Sequence, residues 1–292
     1  MINFRYHLVS IAAIFIALAA GVVLGSGPLD DASDSLTGDE TTTQGADPAV
    51  RSFEAGFASR TAPALLKDQL KGQSVVVLTV PGTNAAEVKG VSTDLELAGA
   101  EVTGEVALTS KMLDSSGRQF AEGVAQQSAE GVAGVSSAGD SYGRIGSALA
   151  RAVVADKAAT LDGTASTILS AFTEGALITQ TRAPKRSATL TVLVTAPQRA
   201  SGSAQSTVIA ALAAALSSTG KGVVVAGPAT SSTDGGAVKA VRDSDSASEI
   251  STVDVTDSAA GRVVTVLAAA EQAAGQPGAW GTSRSASGAV PD

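Results

Sequence analysis

Hydrophobic and polar positions divide the chain into stretches of different grammar. The first is an uncharged, mainly apolar run, Leu8 to Leu24 (LVSIAAIFIALAAGVVL), which with Gly25 to Leu29 lies between His7 and Asp30. As a helix rising about 1.5 Å per residue, Leu8–Leu24 extends roughly 26 Å, and the whole run somewhat over 30 Å, the thickness of a bilayer core. A helix pairs its own backbone polar groups, so lipid can surround it. The expected topology is a short N-terminal stretch, residues 1–7, then one transmembrane helix over residues 8–27. A cleaved signal peptide is the competing reading. Ala17-Leu18-Ala19 is followed by further apolar residues, and a cut after Gly25-Ser26-Gly27 would leave Pro28 behind it, so length and cleavage chemistry favour a retained anchor.

Residues 28–47 reverse the pattern. Asp30, Asp31, Asp34, Asp39, Glu40 and Asp47 stand among Gly, Ser and Thr without one basic residue, which predicts an extended acidic linker. Asp47-Pro48 then reads as a helix cap with proline at the first helical position, followed by an apolar face at Val50, Phe53 and Phe57. A second short helix is expected over 64–71, with Leu65, Leu66 and Leu70 inward and Gly72 ending it.

From Ser74 onward strands alternate with helices. SVVVLTV (74–80) and TLTVLVT (189–195) are continuous apolar runs, as in strands buried on both faces. Each is followed by a proline-containing turn, a helical stripe (Val88, Val91, Leu95; then Val208, Ile209, Leu212, Leu216) and a second strand (102–108; then 222–227). The repeated grammar at 74–108 and 189–227 suggests an internal duplication. Residues 111–175 read as mainly helical, 250–255 and 262–267 as strands, and 276–292 as a loose Gly/Ser-rich tail. The fold class that follows is α/β: a mostly parallel, Rossmann-like sheet flanked by helices, over residues 48–275.

Charge refines this picture. Lys and Arg number 20 and Asp and Glu 28, a net of −8. So acidic a chain argues against nucleic acid or anionic lipid as partners of the domain. Arg5, with His7 beside it, precedes the apolar run, and no Lys or Arg follows until Arg51, so the positive-inside bias places the N-terminus in the cytoplasm and the rest outside. Within the run, Ala13, Ala17, Gly21 and Gly25 recur every four residues. Such a stripe lets helices approach closely and so permits homo-oligomers or a partner span, although Ala and Gly are common in membrane helices anyway. The partners expected are membrane lipid through one span and another envelope protein.

Candidate chemistry is sparse. Ligands of open α/β sheets collect beyond the carboxyl ends of the strands, where this chain offers the loop residues Thr83, Asn84, Arg199 and Ser231. Thr83, Asn84 and Ser231 read first as turn and cap residues. No GxGxxG, Walker A or GxSxG sequence is present, and the single histidine precedes the apolar run, so no His-dependent nucleophile can form in the domain. Neither a cofactor nor catalysis is expected. The acids Asp243, Asp245, Glu249, Asp254 and Asp257 read first as a solvated face, with weak binding of a hard cation as the alternative.

The two ends of the chain, FRYHLVSIAAIFIALAAGVVLGSG (4–27) and SEISTVDVTDSAAGRVVTVLAAAEQAAG (248–275), together with LLKDQLKGQSVVVL (65–78) and GVVVAG (222–227), resemble the MctB copper-transport family of actinobacteria. The resemblance implies an envelope protein linked to copper efflux, in a family described as outer-membrane. Where members carry a charged coiled coil after the anchor, this chain has its acidic linker. The residues themselves supply little for copper: beyond residue 27 there is no Cys, no His and only Met112. A membrane barrel would need repeated alternating segments with aromatic girdles, and aromatics are 3% of the chain. The second class of function is therefore a membrane-tethered scaffold or regulator of another envelope protein, in wall growth, division or cell separation.

Overall fold

A computed structural model describes residues 47–133, 135, 140–198 and 203–291. The expected span, its flank Arg5 and His7, the stripe Ala13, Ala17, Gly21 and Gly25, and the linker before Asp47 lie outside the described residues. Among the described residues no helix is long and apolar enough to cross a membrane.

The elements run α1 (Pro48–Leu66), β1 (Ser74–Thr79), α2 (Ala85–Leu97), β2 (Glu101–Leu108), α3 (Ser110–Leu113), α4 (Arg118–Ser128), α5 (Ser141–Val153), α6 (Gly163–Glu174) and β3 (Ile178–Arg182). They continue with β4 (Leu190–Val194), α7 (Ser203–Ser217), β5 (Val223–Ala226), a 3-10 turn at Ala229–Ser232, α8 (Ala237–Arg242), β6 (Ser251–Val253), α9 (Ala259–Ala273) and β7 (Ala279–Trp280). One seven-stranded sheet has the order β3-β2-β1-β4-β5-β6-β7. Every pairing is parallel except β2 with β3. The expected α/β fold with a mostly parallel sheet is thus present.

The sheet is covered on both faces, which is why β1 and β5 carry the runs Val75–Leu78 and Val223–Ala226 and β4 is broken only by the buried Thr191. Val75 and Val77 of β1 look into a core built with α1, α2 and α9, while Val76 and Leu78 look into the opposite core with α4, α5, α6, α7 and α8. The segments 74–108 and 189–227 each form a strand-helix-strand unit with adjacent parallel strands, but their helices lie on opposite faces. Helix starts follow from polar caps. Asn84, Asp140, Asp162 and Ser258 each accept a backbone N–H of the first turn at 2.6–2.9 Å.

Several expectations give way to tertiary structure. The second short helix at 64–71 is absent: α1 carries Pro63 inside it and continues to Leu66, and the chain then turns to Gly72, which holds φ +77°. The face expected at Val50, Phe53 and Phe57 is the exposed one, whereas Ala58, Ala62 and Leu66 make the buried contact. Residues 262–267 lie within α9 rather than a strand. Their β-branched run favours strand locally, but the Ser258 cap and the alanines that follow extend a helical period, and packing against the sheet selects it.

The tail is ordered where it was expected to be loose. β7 pairs with β6, and the residues after it wrap a buried ion pair. Arg242 Nη1 donates to Asp254 Oδ2 at 2.6 Å, with the side chains 5% and 0% exposed. Asp254 also accepts from the Thr282 N–H (2.8 Å) and the Ser283 hydroxyl (2.7 Å), while Arg242 donates to Thr252 Oγ1, the Trp280 carbonyl and Ser285 Oγ. Gly281 passes so close that a Cβ there would lie 2.0 Å from Asp254 Oδ1. Asp254 therefore leaves the solvated acidic face to which its neighbours in sequence assigned it. A polar clasp does for this Gly/Ser-rich segment what apolar burial cannot.

Candidate functional site

β1 continues to β2 on one side and neighbours β4 on the other, so the order of the sheet reverses between β1 and β4. The crevice outside that point is where an open α/β sheet takes a ligand. Here the crevice is stitched together by its own chain. Thr83 Oγ1 donates to the Val80 carbonyl (2.8 Å) and lies 3.2 Å from the Val194 carbonyl, bridging the ends of the two strands, and accepts from the Val80 N–H at 3.3 Å. Asn84 is spent on capping α2 through the Ala86 N–H at 2.8 Å. Both residues do what their turn and cap chemistry predicts.

The next strand ends are drawn in as well. Thr195 N–H donates to the Ala226 carbonyl, Gly227 N–H to Val253, and Thr256 N–H to Gly227, all within 3.0 Å. Ser231 is fully buried, and its hydroxyl donates to the Pro228 carbonyl at 2.6 Å. Gly227 is required by this crowding, because a Cβ there would lie 2.1 Å from Thr195 Oγ1 and 2.5 Å from Ser231 Oγ. Arg199 lies outside the described residues. The structure therefore brings Thr83 and Asn84 to the β1/β4 crevice, sets Ser231 beneath the end of β5, and uses all three internally.

A cavity of about 180 Å³ remains at the crevice, lined among others by Pro81, Ser110, Pro197, Gln198, Gln205 and Ser206. Small-molecule sites usually offer some 300–1,000 Å³. Two of its polar side chains already have partners, Gln205 on Asp114 (2.6 Å) and Ser206 on the Gly235 carbonyl (2.7 Å). A larger hollow of about 580 Å³ lies beside it, running from Thr83 between α2 and β2, and another of about 700 Å³ lies along α4 among Gly123, Gln126, Gln127, Val132 and Arg144. Arg144 is bound there to Glu122, which holds that carboxyl below its usual range.

Titratable groups gather at one further place, between α2 and α9. Glu87 and Asp94 of α2 face Arg262 of α9, whose Nε is 3.9 Å from Asp94 Oδ2 and which crosses the helix at Gly90. Burial pushes both carboxyls above their ordinary values, and Asp257 adds to the effect at Glu87. No sequence motif announces this cluster, because 262–267, the part of α9 that carries Arg262, reads locally as a strand.

A family model described as "Copper transport outer membrane protein, MctB" matches residues 1–291. The chain belongs to the MctB family. A protein of Mycobacterium tuberculosis named "Copper transporter MctB" is 33% identical over 297 residues, covering 92% of each chain, and one of the same name from Mycobacterium bovis matches equally. The Mycobacterium leprae protein of that name is 32% identical over 91% of this chain and 92% of its own.

For a chain whose relatives are named copper transporters, the donor set is sparse. Cu(I) prefers thiolate and thioether ligands and Cu(II) imidazole. The chain has no Cys and one His, and Met112 lies fully buried in the α4–α8 core, packed as an ordinary apolar side chain. Among the described residues no three His, Cys, Asp or Glu side chains gather where they could share an ion.

Proposed function

We propose that this chain serves copper homeostasis in the cell envelope as a membrane-anchored component whose α/β domain positions or regulates other envelope proteins and does not itself hold copper. The copper role comes from the relatives, which carry the name of copper transporters. The non-ligating role rests on one observation: the only soft donor in the described domain, Met112, is sealed in the core. Anchoring rests on the apolar run at 8–27, with the domain outside the cytoplasm and residues 28–47 as the tether.

Calorimetry of the Pro48–Asp292 unit with Cu(I), paired with copper tolerance of a deletion strain, tests the proposal. The expected result is no tight binding by the unit, together with copper sensitivity that a Met112→Leu chain restores as fully as the natural one. Tight stoichiometric binding by the unit overturns the non-ligating role. The donor-poor surface and the exposed apolar face of α1 also favour a second reading, a tethered scaffold in wall growth or cell separation. A deletion strain with ordinary copper tolerance and unseparated cells would select it.

A further inference from the structure

The first ten residues of α1 are solvent-exposed, with only Glu54 partly covered. Phe53 is 74% exposed, Phe57 60% and Val50 55%, and the two rings stack on each other at 6.4 Å. These three share one stripe, while Ala58, Ala62 and Leu66 make the contact with the body. At 100° per residue the stripe and the packed face are about 150° apart, so the stripe is not a fringe of the core. An uncovered aromatic stripe on a helix calls for a covering surface.

Charge indicates which surface. The chain is acidic overall, but its charge is unevenly spread: from Pro48 to Lys71 the charged residues are Arg51, Arg60, Lys67 and Lys71 against Glu54 and Asp68. Arg60 borders the stripe, and Arg60, Lys67 and Lys71 are exposed. Apolar residues with Arg60 at their edge, and Lys67 and Lys71 in the turn that follows the helix, suit the headgroup boundary of an anionic bilayer. The position in the chain agrees. Nineteen residues separate the apolar run ending at Gly27 from Asp47, so α1 is the first described element after the expected span and lies within reach of the same membrane.

A second copy is the weaker occupant. The three side chains expose on the order of 350 Å², so pairing two copies through them would bury on the order of 700 Å², short of the roughly 1,000 Å² of a stable interface. We infer that α1 is an interfacial helix that lays Val50, Phe53 and Phe57 into an anionic lipid surface, with Arg60 and Lys67 at the headgroups. This deepens the anchored reading above, and replaces the exclusion of anionic lipid that net charge alone suggested.

The test uses the Pro48–Asp292 unit, which is compact and carries both cores of the sheet, so it folds without residues 1–47. The unit is sedimented with mixed phosphatidylglycerol–phosphatidylcholine vesicles and with pure phosphatidylcholine vesicles. Binding to the anionic vesicles that weakens with salt is expected, falling about tenfold in Phe53→Ser/Phe57→Ser and again in Arg60→Glu/Lys67→Glu. Circular dichroism should show all variants folded, because every altered side chain is exposed. Equal binding to both vesicles, or binding that survives loss of the phenylalanines, overturns the proposal. So does a stable dimer of the unit that the phenylalanine pair converts to monomer, which would give the face to a second copy. Because the unit lacks residues 8–27, failure of the anchor would show separately, as a mature N-terminus beyond Gly25 in the full-length protein.

Discussion

Replacing Arg242 with alanine tests the account of the chain's C-terminal end most directly. The guanidinium is 5% exposed and its partner Asp254 is completely buried, at 2.6 Å. Without Arg242 the carboxylate keeps only the Thr282 N–H and the Ser283 hydroxyl, two neutral donors facing a full charge. Breaking a buried pair from one side costs about 3–5 kcal/mol, because the remaining charge stays desolvated. In a unit of this size each kcal/mol lowers Tm by about 2–4 °C, so the expected drop is on the order of 10 °C. Asp254→Asn should cost a similar amount by leaving the guanidinium without a counter-charge. Thermal and urea unfolding followed by circular dichroism supply the energies, and the two single variants with the double give the coupling. Limited proteolysis should show the chain beyond Gly275 released in Arg242→Ala. A loss below about 1 kcal/mol, or a tail still resistant to protease, would refute the idea that this pair holds the C-terminal end in place.

Two further outcomes follow from local geometry. Gly227→Ala should destabilise the unit by about 1–3 kcal/mol in denaturant titrations, because its Cβ would press on Thr195 Oγ1 and Ser231 Oγ with no free space to take. Between α2 and α9 the sign runs with pH. Burial raises the folded-state pKa of Glu87 and Asp94 above their ordinary 4.5 and 3.8, so the native state holds these protons more tightly than the unfolded chain does. Their contribution is most favourable below those values and declines as pH rises through the raised folded-state values. Glu87→Gln should therefore raise Tm slightly at neutral pH, with the gain shrinking to nothing well below pH 4.5; a gain independent of pH would contradict the assignment.

The sheet was legible in the sequence because its central strands are buried on both faces, and nothing but continuous runs such as 75–78 and 190–194 satisfies that requirement. Thr83 and Asn84 were legible for a similar reason: turn and cap chemistry is local, and the chain makes those bonds within a few residues. What stayed hidden is settled over long distances. Arg262 to Leu267 carries strand propensity, and only its place against the sheet makes it helical. The clasp joins Arg242 to Ser283 and Ser285, residues that look like linker until Asp254 is placed beside them. The antiparallel edge strand β3 has just one fully buried residue, Ile178, and so left almost no pattern to read. Val50, Phe53 and Phe57 form a true helical stripe, but periodicity alone does not say whether a stripe faces the protein or something outside it.

The order in which the polypeptide is made gives the clasp a further consequence. Arg242 and Asp254 are synthesised first, and the groups that complete their shell, on Trp280, Thr282, Ser283 and Ser285, follow some thirty residues later. A product that stops after α9 would carry an unfinished charged margin beside β6 instead of a closed one. The stretch from Trp280 to Ser285 is thus a condition of the domain's stability, and a chain cut before it should be recognisable by faster proteolysis beside β6.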